Sequence, residues 1–152
     1  MRHQKSKVKT EESGSALVEF SIAMVVILTL LLGTVDLGRA LYTYDWVCDA
    51  ARLGTRFMMV RGQNCTELSG GCPASVTNLQ TYLKSLAFGL DTGSPPLTIT
   101  ASCTGPNISP TQPPCAVGAS VVVTVQYQFS FLSPLSPHSW QMQSTSVRVV
   151  LN

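Results

Sequence analysis

The N-terminal part of the chain contains an apolar run that directly follows a cluster of basic residues. Between Ser13 and Val35 the one charged residue is Glu19, and 12 of the 16 residues from Phe20 to Val35 are aliphatic, Met or Phe. A transmembrane helix needs ~20 predominantly apolar residues, so the run is long enough to cross a bilayer. The alternative is a core helix of a globular domain, but the run is apolar on all sides and lies beside a basic terminus. We therefore predict a transmembrane helix.

The residues flanking the run predict its orientation and its retention. Four basic residues precede it: Arg2, Lys5, Lys7 and Lys9. The positive-inside rule then places the N-terminus in the cytoplasm and the rest of the chain outside it. A secretory signal peptidase needs small residues at positions −3 and −1 after the apolar stretch, which Leu31-Leu32-Gly33 and Gly33-Thr34-Val35 match poorly. We expect the apolar helix to remain in the protein.

The helical pattern continues beyond the apolar run. All nine prolines lie at or after Pro73. Apolar or small residues recur at three- and four-residue spacing, which is typical of one buried helix face: Ala40, Tyr44, Val47, Ala51, Gly54 and Met58. We predict one helix from about Ser15 to about Arg61, roughly 70 Å long, whose first half lies in lipid and whose second half carries an outer domain. Gly33 and Gly38 are the points at which it would bend.

The remainder predicts a second helix and a small sheet. The second helical pattern begins at Pro73 and places leucines at positions 79, 83, 86 and 90 at helical spacing. The clearest strand is Ser120–Phe131, with alternate apolar residues on one face. The other predicted strands are Leu97–Cys103 and Ser144–Leu151, and the proline-bearing loops are Gly105–Gly118 and Ser133–Ser139. The predicted fold class is α+β: a long transmembrane-plus-amphipathic helix, a second helix and an antiparallel sheet of about three strands.

The composition excludes several classes of protein. Charged residues make up 12% of the chain and hydrophobic residues 45%, a balance that excludes intrinsic disorder. The formal charge of +2 comes without a basic stripe, so we expect no nucleic-acid partner. The sequence contains neither a Gly-rich phosphate loop nor a GxSxG elbow nor a metal-spaced set of His, Asp or Glu. We therefore expect no enzymatic activity, no cofactor and no small-molecule substrate.

Four of the five cysteines lie in segments rich in Gly, Pro, Ser and Thr: Cys65, Cys72, Cys103 and Cys115. The chain has no CxxC spacing and its two histidines are distant in sequence, so we expect no metal site and favour disulfides in an oxidising compartment. Cys65–Cys72 and Cys103–Cys115 are the simplest pairs, although other connectivities of the four remain open. Cys48 is left over, and we expect a buried free thiol there.

The acidic residue inside the apolar run calls for an explanation. An acidic side chain near the bilayer centre costs ~2.5–3.5 kcal/mol, and less near an end. Cleavage between Gly14 and Ser15 would create an α-amine on Ser15 that is positively charged at neutral pH. Ser15 and Glu19 are one helical turn apart, so the amine and the carboxylate could compensate each other within one subunit or between neighbours. The alternative is that Glu19 is an ordinary helix-end acid that reaches the interface.

Two further patterns each have two interpretations. The small residues Gly33, Gly38 and Gly54 permit close approach of helices from other subunits, or packing against strands of the same chain. We favour packing within the chain for residues after Ala40. The aromatic residues Tyr42, Tyr44 and Trp46 are suited either to an interfacial belt or to packing against the sheet.

The junction Gly14-Ser15 followed by Glu19-Phe20 resembles the cleavage site of type IV prepilins, particularly those of the Flp/Tad branch. The segments Ser15–Ser21, Asp36–Tyr42 and Ala50–Arg56 are similar to the TadE-like family, with Leu53 standing where that family often has a polar residue. The resemblance covers about Gly14 to Val60. Beyond Val60 it rests on the general layout alone, a pilin-like strand-rich end that contains cysteines.

The resemblance implies a structural subunit, a minor pilin or pseudopilin of the Tad (tight adherence) pilus system. Prepilin peptidase, a membrane aspartic protease, would cut between Gly14 and Ser15, with Glu19 and Phe20 completing the processing site. The implied domains are a basic leader at 1–14, a transmembrane helix at 15–36 and an extracytoplasmic domain at 37–152.

The implied partners are the peptidase, other pilin subunits and the assembly platform of the bacterial inner membrane, from which the subunit passes into or beneath a pilus. The alternative is an uncleaved single-pass membrane protein with a disulfide-stabilised extracytoplasmic binding domain.

The net charge of the chain comes from the leader. Residues 1–14 contain four bases and two acids, which account for the whole +2, and the remaining chain has six of each. The basic balance therefore predicts which end stays in the cytoplasm rather than an acidic partner.

Overall fold

The structure, a computed structural model, describes residues 8–66, 71–93, 97–105, 108–132 and 139–151, with side chains from residue 14 onward except those of residues 108–110. It has two helices and four strands in an α+β arrangement, which confirms the predicted fold class. The elements are α1 (Val8–Val60), α2 (Val76–Leu86), β1 (Leu97–Gly105), β2 (Ile108–Thr111), β3 (Ser120–Ser130) and β4 (Ser139–Val149).

Helix α1 is continuous over 53 residues, about 80 Å at 1.5 Å per residue. It contains no proline, so no backbone hydrogen bond is lost along it for that reason. Every side chain from residue 14 to residue 35 is exposed, whereas residues 36–60 include all the buried side chains that the structure describes on α1. We call these two parts the apolar half and the packed half of α1.

The four strands form one antiparallel sheet in the order β2-β1-β3-β4. The odd-numbered residues of β3 from Val121 to Phe129 are buried, as their alternation predicts. The register places Val123 opposite Ala101 of β1 and opposite Ser146 of β4, so these three residues share the face that meets α1. The other face has uncharged polar pairs, among them Thr124 with Thr145 at 3.0 Å between the hydroxyl oxygens.

The core lies between the packed half of α1, α2 and the inner face of the sheet. Its most buried side chains come from all three parts: Val47 and Met58 of α1, Leu79 and Leu83 of α2, and Val121, Val123, Val125 and Phe129 of β3. The chain end closes the far side, because the N–H of Leu151 donates to the carbonyl of Met59 at 3.4 Å. We call the end of the domain at Asp36 the proximal end and the end at Val60 the distal end.

Several element boundaries differ from the sequence-based expectations, among them the start of α1 at Val8 rather than about Ser15 and that of α2 at Val76 rather than Pro73. Strand β2 lies inside the segment predicted as the loop Gly105–Gly118. Strand β4 begins at Ser139 rather than Ser144, and α2 ends at Leu86 rather than near Gly89. Of the predicted loop Ser133–Ser139, residues 133–138 lie outside the described residues.

Two disulfides join neighbouring segments of the distal part. Cys65 is bonded to Cys72, and Cys103 at the end of β1 is bonded to Cys115. The carbonyl of Cys115 also accepts a hydrogen bond from the N–H of Gln63 at 3.0 Å, which connects this pair to the segment after α1. Cys48 is a free cysteine and is half-buried rather than buried.

Gly54 is where α1 approaches the sheet and α2 most closely. A Cβ at this position would lie 3.0 Å from Val123 Cγ1 and 3.3 Å from Leu83 Cδ1, and both residues are fully buried. The same addition at Gly33 or Gly38 meets nothing within 4 Å. Gly54 therefore packs within the chain, as favoured for residues after Ala40.

We expect Gly54→Ala to be less stable than Gly38→Ala by about 1–3 kcal/mol, the usual cost of overpacking a core. Both variants gain the same helix propensity over glycine, so their difference isolates the packing. Denaturant unfolding of the full chain in detergent measures it. Equal unfolding free energies for the two variants would show that Val123 and Leu83 can move away, contrary to this prediction.

Candidate processing and membrane-anchoring site

The predicted processing residues lie on the apolar half of α1, close to its start. Gly14, Ser15, Glu19 and Phe20 are all exposed, and a Cβ on Gly14 would meet nothing within 4 Å. Ser15 and Glu19 are four residues apart in a continuous helix, about 6 Å along the axis and on nearly the same side. The segment is therefore open to another molecule, and the geometry that pairs Ser15 with Glu19 is present.

The apolar half presents a lipid-compatible surface all round. Within the described residues, one helix is long and apolar enough to cross a membrane, and its apolar part is not buried in the protein. Both of its threonine hydroxyls bond to the helix itself: Thr29 Oγ1 donates to the carbonyl of Val25 at 2.8 Å, and Thr34 Oγ1 donates to that of Leu31 at 2.9 Å. Such internal bonds spare the hydroxyls an unpaired state in hydrocarbon.

The boundary between the two halves of α1 is marked by Asp36. Its carboxylate is buried at 4% exposure and accepts a hydrogen bond from the N–H of Leu132, just after β3, at 3.0 Å. The guanidinium of Arg39 lies 3.3 Å from the same carboxylate and 5.4 Å from the centre of the Phe129 ring. The domain therefore begins directly where the apolar half ends, with no linker between them.

Two aromatic residues of α1 hold the end of α2. Tyr42 donates its hydroxyl to the carbonyl of Phe88 at 2.9 Å, and Trp46 Nε1 donates to the carbonyl of Leu86 at 3.4 Å. These carbonyls lie at the helix C-terminus, where backbone acceptors lack partners within the helix. Tyr42 and Trp46 therefore bond to the end of α2 rather than to the sheet, and Trp46 also packs against the core.

A cleft of about 580 Å³ lies at the proximal end between α1, β3 and the segment after α2. Its charged lining residues are Arg39 and Asp91, and the arginine is already paired with Asp36. Among the described residues, no group of three or more His, Cys, Asp or Glu is placed to hold a metal ion. The cleft offers no arrangement of groups that suggests a reaction.

The predicted processing site therefore lies at the start of the exposed apolar half of α1, and the packed half of the same helix carries the domain. Residues 14–56 match the family model described as TadE-like protein. The match confirms the resemblance seen in the sequence over this segment of the chain. No curated protein and no solved structure matches the chain.

The TadE-like segment begins at Gly14 and ends at Arg56, within α1. It contains the predicted processing residues, the apolar half and most of the packed half, including Asp36. It leaves out α2 and all four strands, which accounts for the lack of resemblance beyond Val60. The matched feature is therefore the helix, and the match does not extend to α2 or to the strands packed on it.

Three contacts that build the proximal end, those of Asp36, Tyr42 and Trp46, do not follow from the sequence. Asp36 carried a usable signal, since it is the first charge after the apolar run. Its partner, the N–H of Leu132, is 96 residues away and has no sequence signal. The side-chain donors Tyr42 and Trp46 were singled out, but their acceptors at the end of α2 depend on the tertiary fold.

Proposed function

We propose that this chain is a minor pilin or pseudopilin subunit of a Tad pilus, processed by prepilin peptidase between Gly14 and Ser15. One observation carries the proposal: the TadE-like segment starts at Gly14 and forms a helix whose first half is bare and apolar. A bare apolar helix needs lipid or other helices to cover it, and a pilus subunit meets these two environments in turn.

In this role the chain is structural and performs no catalytic step. It spans the inner membrane once with residues 15–36, keeps its leader in the cytoplasm and carries its α+β domain outside. Its partners are prepilin peptidase, other pilin subunits and the Tad assembly platform. The exposed positions Gly33 and Gly38 let a neighbouring helix approach the apolar half closely, because a Cβ there meets nothing in the chain.

The position of Glu19 fits processing at Gly14. Cleavage would make Ser15 the N-terminus, with its charged amine one turn from the Glu19 carboxylate. Both residues are exposed, so the amine of a neighbouring subunit has equal access to the carboxylate. A carboxylate in an apolar segment is stabilised by such a charged partner.

We expect the membrane-bound protein to begin at Ser15 and therefore to lack the 14 residues of the leader. Intact-mass measurement or N-terminal sequencing of the membrane fraction, from cells that contain the Tad genes, tests this. Gly14→Glu is expected to keep the full leader, because the bulky charged side chain replaces the residue at the cleavage point. Gly33→Ala is the matched control, since it alters an exposed glycine of the same helix and should not alter processing.

A wild-type chain that retains Met1–Gly14 would show the proposed processing to be wrong. If Gly14→Glu changed neither the N-terminus nor the partners recovered with the protein, the chain would be a simple single-pass anchor. That result would favour the uncleaved membrane protein with a disulfide-stabilised binding domain.

A further inference from the structure

The proximal end of the domain exposes a set of large apolar side chains. We call this set the proximal rim, and it consists of Leu37, Leu41, Tyr42, Phe88, Leu132 and Trp140. Phe88 is 88% exposed, Leu132 64% and Trp140 63%, although each comes from a different segment of the domain. Within the part of the chain that the structure describes, separate apolar residues thus come to one end and stay exposed there.

The hydrogen bonds place these residues at nearly one level along α1. Leu132 lies at Asp36, because its N–H donates to that carboxylate. Phe88 lies at Tyr42, because its carbonyl accepts the tyrosine hydroxyl, and six residues of helix separate Tyr42 from Asp36 by about 9 Å. Trp140 is the register partner of Phe129, whose ring lies under the guanidinium of Arg39. The rim therefore occupies about the first 10 Å of the domain.

The dimensions of a bilayer put this level at the lipid headgroups. The 22 residues from 15 to 36 measure about 33 Å, enough to fill a hydrocarbon core of ~30 Å. The headgroup layer adds roughly 5–8 Å on each side. Because the domain begins at Asp36, directly where the proposed membrane helix ends, the rim lies at the level of this layer.

We infer that the proximal rim lies in the headgroup layer of the outer surface of the bilayer, and that the domain is seated on the membrane before assembly. The inference rests on the single-pass membrane helix of the proposed function. Tryptophan and tyrosine favour this layer because one part of the ring is apolar and the other part forms hydrogen bonds.

The contact is apolar rather than electrostatic. At this level the charged side chains of the described residues are Asp36 and Arg39, which pair with each other, and Asp91 in the adjoining cleft. An acidic residue beside an internally paired arginine offers no net attraction to anionic lipid. Seating should therefore persist at high salt and in vesicles of zwitterionic lipid alone.

The test uses tryptophan fluorescence of the full chain in vesicles of phosphatidylethanolamine and phosphatidylglycerol. A Trp46→Phe background leaves Trp140 as the only tryptophan. We expect Trp140 to lose fluorescence when a fraction of the lipid carries a nitroxide on its headgroup. We also expect it to emit at a shorter wavelength than free N-acetyltryptophanamide in buffer. The loss should be the same at high salt and in phosphatidylcholine.

Two further reporters complete the design. Val117→Trp, made with both Trp46→Phe and Trp140→Phe, puts the one tryptophan in an exposed position at the distal end, about 35 Å from Asp36. The headgroup nitroxide should not quench it. Leu28→Trp, with the same background, puts it within the apolar half and should be quenched by lipid that is brominated in mid-chain.

The outcomes separate this inference from the proposal on which it rests. If Leu28→Trp is quenched and Trp140 is not, the chain spans the bilayer but the rim is not seated, and the inference is wrong. If Leu28→Trp is not quenched, the membrane helix itself is wrong and both proposals are overturned. Equal quenching of Trp140 and Val117→Trp, or protection of Trp140 that grows with protein density, would overturn the inference in favour of a domain lying flat or a second copy covering the rim.

Discussion

Replacing Glu19 with alanine is expected to leave the chain in the membrane and to lower its incorporation into pili about 10- to 100-fold. Under the proposed processing, the interaction lost is a hydrogen bond between the Glu19 carboxylate and the charged amine of Ser15. Such a bond is worth ~1.5–3 kcal/mol, and ~1.4 kcal/mol corresponds to a factor of ten. Insertion should not suffer, because an apolar alanine replaces an acid within an apolar segment. Immunoblots of the sheared pilus fraction and of the membrane fraction measure the two quantities separately.

The controls for this prediction lie on the same helix. Leu28→Ala truncates an exposed side chain of the apolar half without removing a charge, and it should assemble almost as well as the wild type. Glu19→Gln keeps a hydrogen-bond acceptor without the charge and should fall between the wild type and alanine. Normal piliation with Glu19→Ala would mean that Glu19 is an ordinary helix-end acid.

Replacing Phe129 with alanine is expected to lower the free energy of unfolding by about 3–5 kcal/mol, the usual cost for a buried phenylalanine. Phe129 is 2% exposed, and its ring contacts the Phe131 ring edge-on at 5.2 Å between centroids. The Arg39 guanidinium also lies 5.4 Å from its ring centroid. The variant therefore loses core packing at the point where β3 meets α1. Denaturant unfolding of the full chain in detergent, followed by near-ultraviolet circular dichroism, measures the loss.

Phe88→Ala is the matched control, since it removes the same side chain from a position that is 88% exposed. Its effect on unfolding should stay within about 0.5 kcal/mol, as for other surface substitutions. If Phe129→Ala fails to accumulate, Phe129→Leu keeps most of the apolar volume and should show a smaller loss of the same sign. Equal losses for Phe129→Ala and Phe88→Ala would contradict the described core.

The parts of the fold that follow local rules were predictable from the sequence. A segment without proline and with apolar residues at helical spacing predicts α1, and apolar residues at every second position of Ser120–Phe131 predict β3. These elements are long, so their patterns repeat enough times to outweigh local exceptions. The junction Gly14-Ser15 followed by Glu19-Phe20 is also a local pattern, and processing there stays a prediction.

The parts that depend on partners far along the chain were not predictable. Strand β2 pairs with β1 through Thr111 opposite Cys103, in a short stretch that includes Pro110 and reads as a loop. The start of β4 has little alternation because it lies at the sheet edge, where both faces are largely exposed. Helix α2 ends early where Trp46 supplies a donor for the Leu86 carbonyl, a contact that exists only in the folded domain.

Helix α1 runs without a break from the apolar half into the packed half. With the apolar half in a bilayer, as proposed, the packed half, residues 36–60, extends about 37 Å beyond the bilayer boundary. A change in tilt of about 20°, the average inclination of membrane helices, would sweep the distal end sideways by about 13 Å. Because Asp36 fixes the domain to the helix at its base, such a movement turns the whole sheet with it. Under the proposed arrangement, a change in the tilt of the helix within the membrane therefore produces a larger sideways displacement at the distal end of the domain than at its proximal end.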